Sequence, residues 1–304
     1  MRTGELKKID VFGLGQCSLD YLAKIQDYPA PDLKCEFSEM AVQGGGPVAT
    51  ALVALSRWGL SCAFSGVIGD DDWGTVIKQS LNEEGIDTQN LLVRKHSASQ
   101  FAFILAEPGT GRRTVFWRRP TGLSPSPAEV PFVLLRQAGV FHTDGLFIES
   151  ALTSAKAARE SGVLVSVDAG TFREGMLDLA RLSDCFIASE SFSRSLSGAD
   201  APRETCKRLS ELGPRMVGVT LGAKGYVGFA EGRWIQKPAY PVEAMDTTGC
   251  GDVFHAGFIF GLHQKWNNEK SFDFAAWAAA RVSLRLGGRS GIPTPEEMKN
   301  QGFA

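Results

Sequence analysis

Short apolar, β-rich runs alternate with longer helical patterns along most of the chain. The first run, Ile9–Gly15, is continuous, partly β-branched and closed by glycines, which predicts a buried strand. Val48–Gly59 then reads as a helix that ends at a glycine. By the same criteria we predict strands at Cys62–Gly69, Gly139–His142, Val163–Val167, Cys185–Ile187 and Met216–Leu221, and helices at Trp73–Gly85, Ser150–Ser161, Phe172–Arg181, Arg203–Leu212, Gly251–Lys265 and Phe272–Leu286. Such alternation indicates an α/β fold with a central, mostly parallel sheet flanked by helices on both faces.

Residues 91–120 break this rhythm. Two β-rich runs within Gln100–Arg119 flank the sequence Pro108-Gly109-Thr110-Gly111, which is typical of a hairpin turn. The alternation of these runs indicates one covered and one exposed face. Because the hairpin has no place in the parallel sheet, we predict a small separate lid.

Polar and glycine-rich stretches follow several of the predicted strands, where parallel sheets bind their ligands. The clearest is Asp246–Asp252, which holds two hydroxyls, two glycines and two carboxylates at the start of a predicted helix. Helix N-termini attract anions, and glycines let the backbone approach a ligand closely. The N–H groups of Gly249, Cys250 and Gly251 are therefore candidates for an anion site, and Asp252 is a candidate general base.

The alternative is an ordinary helix cap made by Thr247 or Thr248. The segment that follows, Val253–Leu262, is apolar nearly all round, so the helix is expected to be buried and to carry its polar start into the protein. This favours a site over a cap. His255 is interpreted as a packed core histidine.

Two further patterns stay open on their residues alone. Gly44–Gly46 precedes a helix and is either a flexible turn or a close approach to a ligand. Gly13 and Gly15 resemble an incomplete dinucleotide fingerprint, which makes a dehydrogenase a remote alternative. Asp20 just beyond them is either a surface acid or a ligand for sugar hydroxyls.

Composition narrows the classes of partner. The chain has 304 residues and a formal net charge of −2, so a basic nucleic-acid-binding surface is not expected. No apolar run of about 18 residues is present, and the N-terminus lacks the apolar region of a secretory signal, so we expect no membrane association. Six cysteines without paired spacing indicate free thiols in a reducing cytoplasm.

The motifs together resemble the ribokinase-like (PfkB) carbohydrate kinase family along nearly the whole chain. Gly44–Gly74 is similar to its N-terminal signature, and Asp246–Phe258 to its C-terminal one, with Cys250 where alanine is usual. The resemblance implies a single domain, residues 1–304, with a β lid formed by segments near 16–42 and 91–120. It also implies ATP- and Mg²⁺-dependent phosphorylation of a furanose or ketose-type sugar.

The same resemblance assigns roles to residues. Asp252 would be the base, and Gly249, Cys250 and Gly251 the anion hole for the transferred phosphoryl group. The substrate-binding positions would be Asp20, Gly45, Gly46 and Thr50, and the nucleotide-binding positions Thr220, Gly222, Gly225, Val242 and Ala244. Positions that match a monovalent cation site, for K⁺, are Asp246, Thr248, Val282 and Gly287. A homodimer through the lid is also expected.

The chain departs from the family pattern after the strand that ends near Ile187, where Ser189 to Phe192 replaces an Asn-x-x-Glu motif. This change leaves a non-catalytic sugar or nucleotide sensor as one alternative. A nucleoside kinase of the same fold is another. Its base would need a stacking platform, for which Phe101, Phe103 and Trp117 of the predicted lid are candidates.

Overall fold

The computed structural model describes residues 9–108 and 111–303, which form thirteen strands and ten α-helices. The strands are β1 Val11–Leu14, β2 Ser18–Ile25, β3 Phe37–Gly45, β4 Cys62–Gly69, β5 Leu91–Arg94, β6 Phe101–Glu107, β7 Arg112–Arg118, β8 Val140–Thr143, β9 Leu164–Ala169, β10 Cys185–Ser189, β11 Met216–Thr220, β12 Tyr226–Ala230 and β13 Arg233–Lys237. The helices are α1 Pro47–Arg57, α2 Asp72–Glu83, α3 Phe132–Leu135, α4 Ile148–Glu160, α5 Met176–Arg181, α6 Glu190–Ser197, α7 Pro202–Ser210, α8 Cys250–His263, α9 Asn268–Val282 and α10 Pro295–Asn300.

Nine strands form the main sheet in the order β13-β12-β11-β10-β9-β8-β1-β4-β5. Neighbours from β11 to β5 are parallel, whereas β12 and β13 extend the sheet antiparallel at one edge. The predicted α/β class with a mostly parallel sheet is confirmed. None of the helices in the described ranges is long and apolar enough to cross a membrane.

Helices cover both faces of this sheet, as the alternation of strand side chains shows. Val11 and Val140 pack in one core with α1, α8 and α9. Phe12 and Phe141, one residue further along the same strands, pack in a second core with α4 and α5. Successive side chains of a strand point to opposite faces, so two helical layers enclose the sheet.

A second sheet of four strands, in the order β3-β2-β6-β7, contains the predicted lid segments and is termed the lid. The predicted hairpin corresponds to β6 and β7, although Gly109 and Thr110 of its turn lie outside the described residues. The pattern did not predict β2 and β3, nor β5, β12 and β13 of the main sheet, although the family resemblance implied a lid segment near 16–42. Strand register places Asp20, Leu22, Ala102, Ile104, Val115 and Trp117 on one face, here the inner face, and Tyr21, Val42, Phe103 and Phe116 on the other, the outer face.

The inner face is turned toward the body of the protein, because Leu22, Ala102 and Ile104 pack with Leu286 in one apolar cluster.

Two predicted helices begin four residues away from their expected start, at 176 against 172 and at 268 against 272. Helix α5 begins at Met176 and not at residue 172, since Gly175 adopts a left-handed conformation with φ 82°. Helix α9 begins earlier than residue 272, because the side chain of Asn267 caps it.

Candidate active site

Four aspartates meet at the carboxyl ends of the parallel strands, beneath the inner face of the lid. Asp144 follows β8, Asp168 lies at the end of β9, Asp20 is on β2 and Asp252 is in the first turn of α8. Burial raises the pKa of Asp252 well above its ordinary value, and the negative charges of Asp168, Asp20 and Asp144 raise it further. Arg113 acts in the opposite direction. The first turn of α8 therefore holds a carboxylate with an increased affinity for a proton.

The start of α8 has no side-chain cap. Its N-cap residue is Gly249, with φ 75°, and no side chain accepts a hydrogen bond from the first turn. Thr248 donates instead from its N–H and Oγ1 to Asp246 Oδ1, at 2.8 and 2.7 Å. Thr247 Oγ1 donates to the carbonyl of Gly111 in the lid, at 2.8 Å. The alternative of a threonine cap is therefore wrong.

Glycine is required at position 249, because a Cβ there would lie 2.4 Å from the Cα of Gly288. At Gly251 a Cβ would meet no protein atom within 4 Å. The first N–H groups of a helix lack acceptors within the helix, so those near Gly251 are available to a ligand in this open space. Burial raises the pKa of the Cys250 thiol to about 12, so this side chain stays protonated and uncharged near neutral pH.

The predicted substrate-binding residues lie where strand β3 leads into helix α1, and Asp20 lies beside them on β2. Asp20 is buried, and its Oδ1 accepts from Ser18 Oγ at 2.7 Å. A Cβ at Gly45 would lie 1.9 Å from Asp20 Oδ2, so glycine makes room for that carboxylate. Gly46 is the N-cap of α1 with φ 95°, and Thr50 is buried one turn further on.

The predicted nucleotide-binding residues lie further along the same edge of the sheet. Thr220 ends β11, and Gly222 and Gly225 both have positive φ, 57° and 93°. A Cβ at Gly222 would meet nothing within 4 Å, so space is open beside that turn. Val242 is 40% exposed in the loop before α8, and the partly buried Ala244 lies against Gly111 of the lid.

Three of the four candidate cation-site residues are joined by hydrogen bonds. The carboxylate of Asp246 accepts from Thr248 and, through Oδ2, from the N–H of Gly287 at 2.8 Å. The carbonyl of Val282, the fourth, accepts from the N–H of Arg285 at 3.2 Å. Within the described ranges, no group of three or more His, Cys, Asp or Glu side chains could hold a metal ion.

The altered motif after β10 forms a helix start. Ser189 caps α6 by accepting from the N–H of Phe192 at 3.0 Å, and it donates to the carbonyl of Gly170 at 2.8 Å. Glu190 pairs with Lys224, in the turn that contains Gly222 and Gly225, at 3.3 Å. Ser189 is therefore the N-cap of α6, and the exposed Glu190–Lys224 pair links the start of this helix to the turn after β11.

The sequence pattern did not predict two features of the site. His255 is buried, as expected of a core residue, but its Nε2 lies 3.1 Å from Asp168 Oδ1, within hydrogen-bonding distance. Burial alone would raise the pKa of Asp168. His255, together with His142 and Arg173, brings that pKa below its usual value. The lowered pKa keeps Asp168 ionised close to Asp252.

The second missed feature is Arg113 on the lid strand β7. Its Nη1 donates to Thr247 Oγ1 at 2.7 Å, two residues before Gly249, the N-cap of α8. The lid thereby brings a positive charge to the start of α8. The only hint in the sequence was the basic character of the hairpin, which gives no indication of where its arginines reach.

Comparison with known proteins relates this arrangement to one family. Residues 8–295 match the family model described as pfkB family carbohydrate kinase. The ribokinase of Haemophilus influenzae is 26% identical over 295 residues, covering 93% of this chain and 95% of that protein. Fructokinase-2 of Zea mays is 26% identical over 277 residues, covering 82% of each chain.

Solved structures agree on the fold. A crystal structure of an E. coli protein in complex with ATP and Mg²⁺ superimposes with a TM-score of 0.83 at 21% identity, covering 97% of this chain and 98% of that one. At this level of identity the likeness concerns the fold alone.

Proposed function

The chain belongs to the PfkB family of carbohydrate kinases, and we propose that it transfers the γ-phosphoryl group of ATP to a hydroxyl of a furanose or ketose-type sugar. The expected enzyme class, an ATP-dependent carbohydrate kinase, is confirmed. The observation that best supports the proposed chemistry is the uncapped start of α8, where open space beside Gly251 adjoins the carboxylate of Asp252.

In this proposal Asp252 accepts the proton of the sugar hydroxyl as that oxygen attacks phosphorus. Its raised pKa increases its affinity for that proton. General-base assistance contributes about 10²- to 10⁴-fold to a rate. Asp20, held by Ser18 and accommodated by Gly45, would orient the sugar through hydrogen bonds to other hydroxyls.

Charge on the transferred group would be stabilised from two directions. The N–H groups of Gly249, Cys250 and Gly251 would form the anion hole, as helix N-termini do for phosphates. Arg113 would approach from the lid, since it already contacts Thr247 next to that turn. We therefore expect Arg113→Gln to lower kcat, with Arg118→Gln, on the outer side of the same strand, as the matched control.

The nucleotide would bind along Thr220, Gly222 and Gly225, with Val242 and Ala244 at the adenine. The open space beside Gly222 and Gly251 fits a chain of phosphates. ATP supplies the phosphoryl group, and Mg²⁺ would be held mainly through its phosphates and water, as is usual for this ion. K⁺ binding near Asp246, Thr248, Val282 and Gly287 is testable by comparing activity in potassium and sodium salts.

A nucleoside substrate is the alternative within the same fold. Two of the three aromatics considered for base stacking lie on the outer face. There the ring centroids of Phe101 and Trp73 are 4.3 Å apart, and those of Phe103 and Tyr21 are 5.4 Å apart. Trp117 alone of the three lies on the inner face with Asp20. This arrangement favours a sugar, for which a stacking platform is not required.

A screen of ADP release with ribose, fructose and adenosine tests the proposal. We expect a sugar to give the highest kcat/KM. Preference for adenosine would move the assignment to a nucleoside kinase. Binding of sugar and ATP without any product, measured by calorimetry, would instead favour the sensor.

We also propose that two copies associate through their lids. Met40, Val42, Phe103 and Phe116 lie exposed on the outer face, each about half accessible. An apolar patch of this kind is typical of an interface, and a self-complementary pairing would cover it. Light scattering, which measures the molecular mass in solution, tests this on the protein and on Phe103→Ser.

All six cysteines are free, which supports the expected cytoplasmic location.

A further inference from the structure

Two arginines near the cleft take no part in the proposed transfer step. Arg173 lies in the loop between β9 and α5, beyond the carboxyl end of the sheet. Its side chain is partly buried, and its Nη1 atom is fully buried without a hydrogen-bond partner among residues 9–108 and 111–303. Burying a guanidinium N–H without an acceptor is costly, so this group is suited to an acceptor supplied from outside the chain.

Arg119 lies just beyond the end of the lid strand β7. Residues of this strand alternate between the two faces, and Trp117 lies on the inner face because it pairs with Ala102, which also pairs with Asp20. Two residues on, the guanidinium of Arg119 stacks over the Trp117 ring at 4.8 Å. The stacking holds Arg119 on the side of the lid that covers the cleft.

The two guanidinium groups are close enough to influence each other. Burial lowers the pKa of Arg173, the carboxylates of Asp144 and Asp168 oppose this, and the positive charge of Arg119 lowers that pKa further. The nearby carboxylates are already engaged: Asp144 accepts from the N–H groups of Gln16 and Leu146, and Asp168 pairs with His255. Neither arginine forms an ion pair with a residue in the described ranges.

Arg173 lies on the body and Arg119 on the lid, and two like charges are brought together at lower cost when an anion lies between them. We propose that Arg119 and Arg173 form a subsite for an anionic group, phosphate or carboxylate, carried by the sugar substrate. This inference rests on the proposed kinase function and narrows its substrate class to sugars with a second, charged end.

The subsite is separate from the anion hole. Arg113, at the other end of β7, contacts Thr247 beside α8, whereas Arg119 stands six residues further along the strand, near Arg173. A substrate held between them would have its reactive hydroxyl near Asp252 and its charged group near Arg173. Closing the lid would then complete both ends of the site at once.

The test uses the full-length protein and paired substrates that differ by one charged group: fructose with fructose 6-phosphate, ribose with ribose 5-phosphate, and glucose with gluconate. ADP release gives kcat/KM for each. We expect the charged member of one pair to be preferred by about 100-fold, and Arg173→Gln or Arg119→Gln to reduce that preference by about 10- to 100-fold each. The phosphate and carboxylate arms identify the preferred group.

Arg118→Gln is the matched control, because Arg118 pairs with Phe101 on the outer side of β7 and should leave the preference unchanged. Arg173→Lys retains the charge and should restore part of the preference if Arg173→Gln loses it. Equal use of neutral and charged members by the wild type, or equal loss on both in the two Gln variants, overturns the subsite. Absence of ADP release with every compound overturns the kinase proposal instead.

A readout that does not depend on turnover is calorimetry of fructose 6-phosphate and of gluconate with Asp252→Asn. Binding of either probe that weakens at least about 10-fold on adding Arg173→Gln supports the subsite. Binding unchanged by that substitution, or no binding of either probe, overturns it.

Discussion

The two glycine-rich turns at the site have the same appearance in the sequence and opposite purposes in the structure. At Gly44–Gly46 a Cβ on each residue would collide with protein atoms, those of Arg289, Asp20 and Gln16. At Gly251 a Cβ would meet nothing within 4 Å. All three glycines of the first turn make room for other atoms of the protein. In the second turn Gly249 does the same for Gly288, whereas Gly251 borders open space. Glycine density by itself does not distinguish the two.

The carboxylate beside the open turn should carry the largest effect. Asp252→Asn removes the proposed base, so kcat should fall by about 10²- to 10⁴-fold while ATP binding by calorimetry stays nearly intact. Asp178, an exposed carboxylate on α5, provides the control: Asp178→Asn should leave both kcat and ATP binding unchanged. Near-normal turnover of Asp252→Asn would remove the central role of this residue.

Gly251→Ala tests the open turn itself. The added methyl group meets no protein atom, so the melting temperature should stay close to that of the wild type. It would occupy the space assigned to the transferred phosphoryl group, and kcat should fall by about 10²-fold, comparable to the loss of one anion-hole donor. The neighbouring Gly249→Ala should instead lower the melting temperature, because its Cβ would lie 2.4 Å from Gly288 Cα. Full activity of Gly251→Ala would place the phosphoryl group elsewhere.

Gly45→Ala tests the filled turn. Its Cβ would lie 1.9 Å from Asp20 Oδ2, so the carboxylate must move. We expect KM for the sugar to rise by about 10-fold and the protein to lose about 1–3 kcal/mol of stability, the usual range for overpacking. Steady-state kinetics and thermal melting measure the two effects. A change in KM for ATP with no change in KM for the sugar would contradict the assignment of Asp20.

A smaller effect is expected in the pH profile. The base must be unprotonated to act, so kcat/KM should fall as the pH drops through the raised pKa of Asp252. The negative charge of Asp168 raises that pKa, so Asp168→Asn should shift the acidic limb to lower pH. Asp144→Asn should shift it in the same direction by less, since Asp144 has a smaller influence. A shift to higher pH in either variant would mean that another group limits the acidic limb.

The sequence was sufficient for six strands of the main sheet, β1, β4 and β8 to β11, and for the start of α8, because these depend on local patterns. Buried parallel strands are continuous apolar runs, and α8 is apolar nearly all round with glycines and acid at one end. Strands β5, β12 and β13 of the main sheet were not predicted. The pattern also did not show β2 and β3, since their alternation mixes lysine, glutamate and exposed apolar residues on a two-sided lid; only the family resemblance placed a lid segment there.

Contacts between distant segments could not be read from the pattern. Asp168 and His255 lie 87 residues apart, and Arg113 and Thr247 lie 134 residues apart. The face of a lid strand on which a side chain lies depends on strand register. The sequence therefore suggested one stacking platform from three aromatics of the hairpin, of which only Trp117 lies on the inner face. Local composition identified what chemistry was present, and the fold determined which groups meet.

The most direct test of the central claim is a crystal structure of the protein with ADP, aluminium fluoride and the best sugar from the screen. The fluoride group, which imitates the phosphoryl group in transfer, should lie against the N–H groups of Gly249 to Gly251. The attacking sugar oxygen should lie within about 2.6–3.2 Å of the Asp252 carboxylate. A fluoride group bound away from that turn, or a sugar hydroxyl directed at another base, would contradict the account.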